Sequence, residues 1–122
     1  MSVLVKNLGS GIKNVTINDP KTYNSLSLAT LRSLLNTFKK LDKDNNTKVI
    51  ILDGAGKGFS AGHNLKEVRS LKVRSKYLKL FNLCSKVMIQ IVEGRKPVIA
   101  KVHGAAYAAG CQLVASCDLA YS

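Results

Sequence analysis

A short, almost wholly apolar run, Lys48-Val49-Ile50-Ile51-Leu52-Asp53, feeds directly into GAGKGFSAGHNL, which carries four glycines in nine residues. A run of that length reads as a strand buried on both faces. The segment after it cannot be an ordinary element, because its backbone must turn sharply or come close to something. The same order recurs downstream, where Pro97 introduces a strand at 98–103, VIAKVH, that enters GAAYAAGCQ. Each junction leads from a strand into a helix and leaves backbone N–H groups exposed at the transition.

The rest of the chain supplies the frame. Residues 3–8 and 12–17 are strand candidates separated by Gly9-Ser10-Gly11, a hairpin-type connection. Asn18-Asp19-Pro20-Lys21 breaks the pattern as a turn. Ser25 or Ser27 is placed to cap a helix in which Leu28, Leu31, Leu34, Leu35, Phe38 and Leu41 recur at three- and four-residue spacing. Lys39, Lys40 and Lys43 cluster where the helix dipole favours cations. A second helical stretch starts between Asn64 and Ser70. From residue 77 its apolar stripe is Tyr77, Leu80, Phe81, Cys84, Val87, Met88 and Ile91, with Arg69, Lys72, Lys76, Lys79 and Lys86 largely off it. A third helix is expected from about Ala109 to Ser116, followed by a strand at Asp118–Tyr121. The alternation predicts an α/β fold with short connections. The final strand has no following partner, so the 122 residues are expected to form part of a domain rather than a whole one.

Composition narrows the function classes. A hydrophobic content of 46% excludes a disordered tail, and no run approaches the length needed to cross a bilayer. The formal charge of +12 would suit nucleic acid. However, its lysines are scattered, with neither an arginine-rich run nor interleaved aromatics for base stacking, so a nucleic-acid partner is not expected. Cys84, Cys111 and Cys117 lack the spacing of a disulfide framework and read as small thiols in a reducing compartment. No metal site is expected, since His63 and His103 do not lie at ligand spacing from a cysteine pair. The opening residues alternate like a strand and show no basic, apolar leader.

The two junctions fail the usual phosphate-loop tests. Gly58 is followed by Phe59-Ser60 rather than Lys-Ser/Thr, and Gly54-Ala55-Gly56-Lys57-Gly58 does not fit GxGxxG. Ser60 lacks a nucleophile elbow. Asp53, Glu67, Glu93 and Asp118 are spread over different elements, so no carboxylate pair is available for acid–base work. His63 is more simply a hydrogen-bonding loop residue than a proton donor, and His103 a satisfied structural histidine. If the two strands are parallel neighbours, both junctions lie at the carboxyl side of the sheet, where such sheets bind ligands. Two N–H groups converging there would form an oxyanion hole. Small residues that merely ease helix–sheet packing are the competing explanation.

At these junctions the chain resembles the crotonase, or enoyl-CoA hydratase/isomerase, superfamily. The segments that carry the resemblance are INDPKTYNSLS, KVIILDG, GKGFSAGHNLKEV and KPVIAKVHGAAYAAGCQLVASCDLAYS. The pair SAGHNL and AAGCQLVASCDLA is most similar to a mitochondrial branch. The resemblance implies the N-terminal portion of a ββα spiral, with residues 1–122 as a partial domain. It further implies trimers paired into hexamers when the domain is full length, no covalent cofactor, and a coenzyme A thioester as substrate or ligand. By motif, the oxyanion-hole amides fall on His63 and Ala109. His63, Asn64, Leu65 and Lys66 line the coenzyme A side, with Lys21 and Lys66 near its phosphates.

Three departures alter what the resemblance implies. Gln112 stands where the hydratases have a glutamate, and an amide cannot serve as a general base. The second family glutamate falls beyond residue 122. Asn64 replaces an aspartate and His63 a small residue at the pocket mouth. A chain of this kind is expected to bind acyl-CoA without hydratase turnover. The alternatives are a non-catalytic paralogue acting through oligomerisation, or a thioesterase or isomerase in a longer parent. The resemblance implies the mitochondrial matrix, and the absence of a visible leader leaves the cytoplasm as the alternative.

Overall fold

The computed structural model describes residues 2–62, 69, 74–104, 113–114 and 116–121. Five strands form one sheet in the order β1-β2-β3-β4-β5: β1 (Val3–Gly9), β2 (Ile12–Ile17), β3 (Val49–Gly54), β4 (Val98–Lys101) and β5 (Leu119–Tyr121). The β1–β2 pair is antiparallel and turns through Gly9-Ser10-Gly11, while every later pair is parallel. Helix α1 (Leu28–Lys43) links β2 to β3, and α2 (Arg74–Glu93) precedes β4.

Strand order that follows chain order has a packing consequence. Crossovers between successive parallel neighbours share one hand, so their helices fall on the same face of the sheet. The buried row Val15, Leu52 and Ala100 runs across three adjacent strands in register. Leu31, Leu34, Leu35, Phe38 and Leu41 of α1 join the same core, as do Leu80, Cys84, Val87 and Ile91 of α2. Burying each leucine or phenylalanine contributes about 1.5–3 kcal/mol, which holds the helices to the sheet.

The opposite face is different. Val49, Ile51 and Asp53 alternate as half-buried positions with the buried Ile50, Leu52 and Gly54. The expectation that this strand is buried on both faces is therefore corrected. The second face carries polar pairs, in which the Thr16 hydroxyl donates to Asp53 Oδ1 at 2.6 Å and Asn14 Nδ2 donates to the Ile51 carbonyl at 3.2 Å. A second correction concerns α2, where Phe81 is 43% exposed while Leu80 beside it is buried. One residue along a helix is a rotation of about 100°, enough to carry Phe81 off the core face.

Of the two candidate caps, Ser27 performs the role. Its Oγ accepts the Thr30 N–H at 3.2 Å, whereas the Ser25 hydroxyl donates to Thr22 Oγ1. At the other end of α1, Asp42 Oδ1 accepts the Arg95 N–H at 2.6 Å and fastens the α2–β4 loop. Asp118 makes a matching clasp on β4: its carboxylate accepts the Val98 N–H and its own N–H donates to the Val98 carbonyl. Strand β4 ends at Lys101, two residues short of the expected end, which leaves Val102 and His103 outside the ladder. Arg69, Leu113, Val114 and Ser116 are helical, while residues 64–68 and 70–73 of the second expected helix and 109–112 and 115 of the third, expected over 109–116, lie outside the described residues.

Candidate functional site

Strands β3 and β4 are parallel neighbours, with Ile50, Ile51 and Leu52 paired to Val98, Ile99 and Ala100. Their carboxyl ends therefore open on the same side of the sheet, and the two glycine-rich junctions begin next to each other. The His103 ring closes the gap, with Nε2 2.7 Å from the Gly56 carbonyl oxygen, so that nitrogen carries the proton. This is the structural role expected for His103. Gly104 follows with φ +64°, and a Cβ there would run into the Lys57 carbonyl. No side chain fits that approach, which explains a glycine at this point.

The first junction is held from beneath by the turn at 19–26. A 3-10 turn at Pro20–Thr22 ends in Tyr23 and Asn24, both with positive φ. The Asn24 side chain is fully buried; its Oδ1 accepts the Asp19 N–H at 2.8 Å, and its Nδ2 donates to the carbonyls of Ala55 and Gly58 at 2.6 and 3.0 Å. Phe59 is fully buried and anchors the far side of the loop. Beyond it the chain runs back along the turn, with Ala61 N–H donating to the Tyr23 carbonyl at 2.9 Å and Leu26 N–H to the Gly62 carbonyl at 2.6 Å. The buried Ser60 hydroxyl donates to the Asn24 carbonyl at 2.8 Å and accepts the Gly62 N–H at 3.2 Å. Both capacities are committed to backbone, in keeping with its reading as no nucleophile.

Between turn and loop lies an open cleft of about 360 Å³, lined by Pro20, Lys21, Tyr23, Ala55, Gly56, Lys57 and Gly58. Lys21 and Lys57 are both exposed along it. With two ammonium groups and no carboxylate in its lining, the cleft carries positive charge only, which suits an anionic group. Among the described residues, no three His, Cys, Asp or Glu side chains gather as a metal site would require, and no helix is long and apolar enough to cross a membrane.

Of the residues singled out from sequence, Lys21 is thus placed at the cleft. His63, Asn64, Leu65, Lys66, Ala109 and Gln112 lie outside the described residues. Two contributors escaped the sequence reading. Asn24 could have been flagged as an asparagine in a Pro-initiated turn, a residue type that tolerates a left-handed backbone. Lys57 was legible only as a residue inside the glycine run that fails the phosphate-loop pattern.

Of the three thiols, Cys111 lies outside the described residues, and the other two are poor nucleophiles. Burial, reinforced by the neighbouring Asp118 charge, pushes the Cys117 thiol up to about 12, and its Sγ faces the Leu113 carbonyl at 3.3 Å. Burial also raises Cys84.

A family model for enoyl-CoA hydratase/isomerase matches residues 7–122. The chain belongs to the enoyl-CoA hydratase/isomerase family. It is 48% identical over 110 residues to human enoyl-CoA hydratase domain-containing protein 3, mitochondrial, a match covering 90% of this chain and 36% of that protein. The crystal structure of an enoyl-CoA hydratase from Mycobacterium smegmatis superposes with a TM-score of 0.95 at 45% identity, covering 98% of this chain and 47% of that one. The structure of the human domain-containing protein 3 gives a TM-score of 0.93 at the same identity and coverage. This enoyl-CoA hydratase/isomerase family chain therefore has the crotonase α/β fold and spans less than half the length of these relatives. Both structures cover 98% of this chain, so the sheet that sets β3 beside β4 is shared with them.

Proposed function

We propose that this chain is the N-terminal, acyl-CoA-holding half of a crotonase-type domain, residues 1–122, with the thioester oxygen gripped by the backbone amides of His63 and Ala109. The observation that carries this reading is the contact between the two junctions, His103 to Gly56 and Gly104 against Lys57, which brings both loops to one edge of the sheet. The Gly62 carbonyl accepts the Leu26 N–H, which ties the residue before His63 to the turn. Two backbone donors stabilise the negative charge that develops on a thioester oxygen when the α-carbon loses a proton or the β-carbon of an enoyl thioester is attacked.

The anionic end of the ligand is assigned to the cleft, with Lys21 and Lys57 facing coenzyme A phosphates. His63, Asn64, Leu65 and Lys66 continue that side toward the thioester. No covalent cofactor is involved. Gln112 replaces a general base with an amide, so the chain binds and polarises an enoyl thioester without adding water to it. Its proposed place of action is the mitochondrial matrix, a reading supported by the human relative's name as a mitochondrial protein. Family-type trimers or hexamers belong to the full-length domain.

Calorimetric titration with butyryl-CoA tests the binding claim, and loss of crotonyl-CoA absorbance tests the catalytic one. Saturable binding without turnover is expected. Absence of binding would remove the reading, and turnover by the unaltered chain would remove the role given to Gln112. Turnover gained in a longer reading frame carrying Gln112→Glu would locate the defect at that side chain.

A further inference from the structure

Asn24 contributes both its side chain and its backbone to the site. Both N–H donors of its amide are spent on the carbonyls of Ala55 and Gly58, which bracket the cleft wall carrying Lys57. Its own carbonyl accepts the Ser60 hydroxyl, whose oxygen in turn receives the Gly62 N–H. One fully buried residue, held at φ 56°, therefore touches both the anion cleft and the segment that leads into His63.

We infer that Asn24 is a positioning residue that sets the two ends of the ligand site relative to each other: its amide places the phosphate-side wall, and its carbonyl, through Ser60, places the backbone entering the oxyanion hole. The inference rests on the acyl-CoA reading given above. It assigns the two arms to different parts of the ligand, so that they separate experimentally. A turn residue that merely stabilised the fold would affect both parts alike.

Two variants separate the arms. Asn24→Gly keeps the left-handed backbone and removes the amide. Ser60→Ala leaves the amide bonds in place and cuts the link to Gly62. Each is titrated with adenosine 3′,5′-bisphosphate, a probe for the cleft alone, and with butyryl-CoA, a probe for both ends. Amide hydrogen exchange is followed on the same samples. Asn24→Gly is expected to weaken both ligands tenfold or more. It should also speed exchange at Ala55, in the wall that the amide holds, while Ile50 and Leu52 keep their wild-type rates. Ser60→Ala is expected to hold the bisphosphate within twofold and weaken butyryl-CoA about tenfold. Wild-type exchange at Ala55 in Asn24→Gly overturns the inference, as does equal weakening of both ligands by Ser60→Ala. A wild-type chain that binds neither ligand defeats the acyl-CoA reading instead, and the exchange rates then decide the positioning role by themselves. Should Asn24→Gly not fold, Asn24→Asp keeps the size and the Asp19 contact while turning both donors into acceptors, and the same outcomes apply.

Discussion

The His103 imidazole donates to the Gly56 carbonyl across 2.7 Å, joining the end of β4 to the loop that leaves β3. These residues are 47 positions apart in the chain, and their meeting makes one site out of two junctions. Gly104, immediately after, packs its backbone on Lys57 and Gly58.

Gly104→Ala tests that packing. The new methyl would have to displace the Lys57 carbonyl while the residue kept a left-handed φ. Strain and overpacking together are expected to cost about 2–5 kcal/mol. A lower urea denaturation midpoint with an unchanged slope, their product reduced by that amount, is the predicted outcome. His103→Ala, which removes one hydrogen bond without a clash, should cost only about 1 kcal/mol.

Lys57→Ala should weaken coenzyme A binding roughly threefold to tenfold, about 1 kcal/mol, by removing one of the two cleft cations. The loss should shrink as salt is raised, since exposed charges are screened over about 10 Å at 0.1 M. Affinity measured across a salt series checks both points. Lys43→Ala, at the far end of α1 and outside the cleft lining, should leave the affinity unchanged.

The acid limb of stability should carry a contribution from Asp44. The Thr47 hydroxyl at 2.7 Å, followed by the Asn46 N–H, holds its carboxyl below the ordinary 3.8. A depressed folded value means that the unfolded chain binds the proton more readily. The stabilisation is therefore complete above the unfolded value and disappears as pH falls through the lower folded one. Asp44→Asn should flatten the decline of stability below about pH 4, read from thermal midpoints across an acid series.

Cys117 should be nearly inert in the folded chain. With its thiol raised from 9.0 to about 12, the thiolate fraction at pH 8 falls roughly a thousandfold. Iodoacetamide labelling, mapped by peptide mass, should be slow at Cys117 and at the buried Cys84, and fast at both once urea is added.

Most of the frame was legible because its signals are local. Ser27 before an amphipathic run, the Gly9-Ser10-Gly11 turn and the apolar run in β3 each depend on a few adjacent residues. What escaped was long-range or depended on which face of an element is covered. The half-buried side of β3 follows from helices collecting on one face, which Val49, Ile51 and Asp53 alone do not announce. Phe81 sits at a spacing compatible with the core stripe, and only the packed helix shows that Leu80 takes the core position beside it. Asn24 acquires its role from carbonyls 31 and 34 residues away, so its own neighbourhood marks a turn residue but not that role. The cleft was half legible: Lys21 lay in a recognisable turn, whereas Lys57 needed the fold to bring it opposite.

The most direct test of the account is the infrared carbonyl stretch of [1-13C]butyryl-CoA, recorded as a difference spectrum with the unlabelled ligand, free and bound to the chain. Two backbone donors on one thioester oxygen would lengthen that bond, and the account predicts a band moved to lower frequency on binding, with the bisphosphate fragment competing it away. A bound ligand whose thioester band keeps its solution frequency would contradict it.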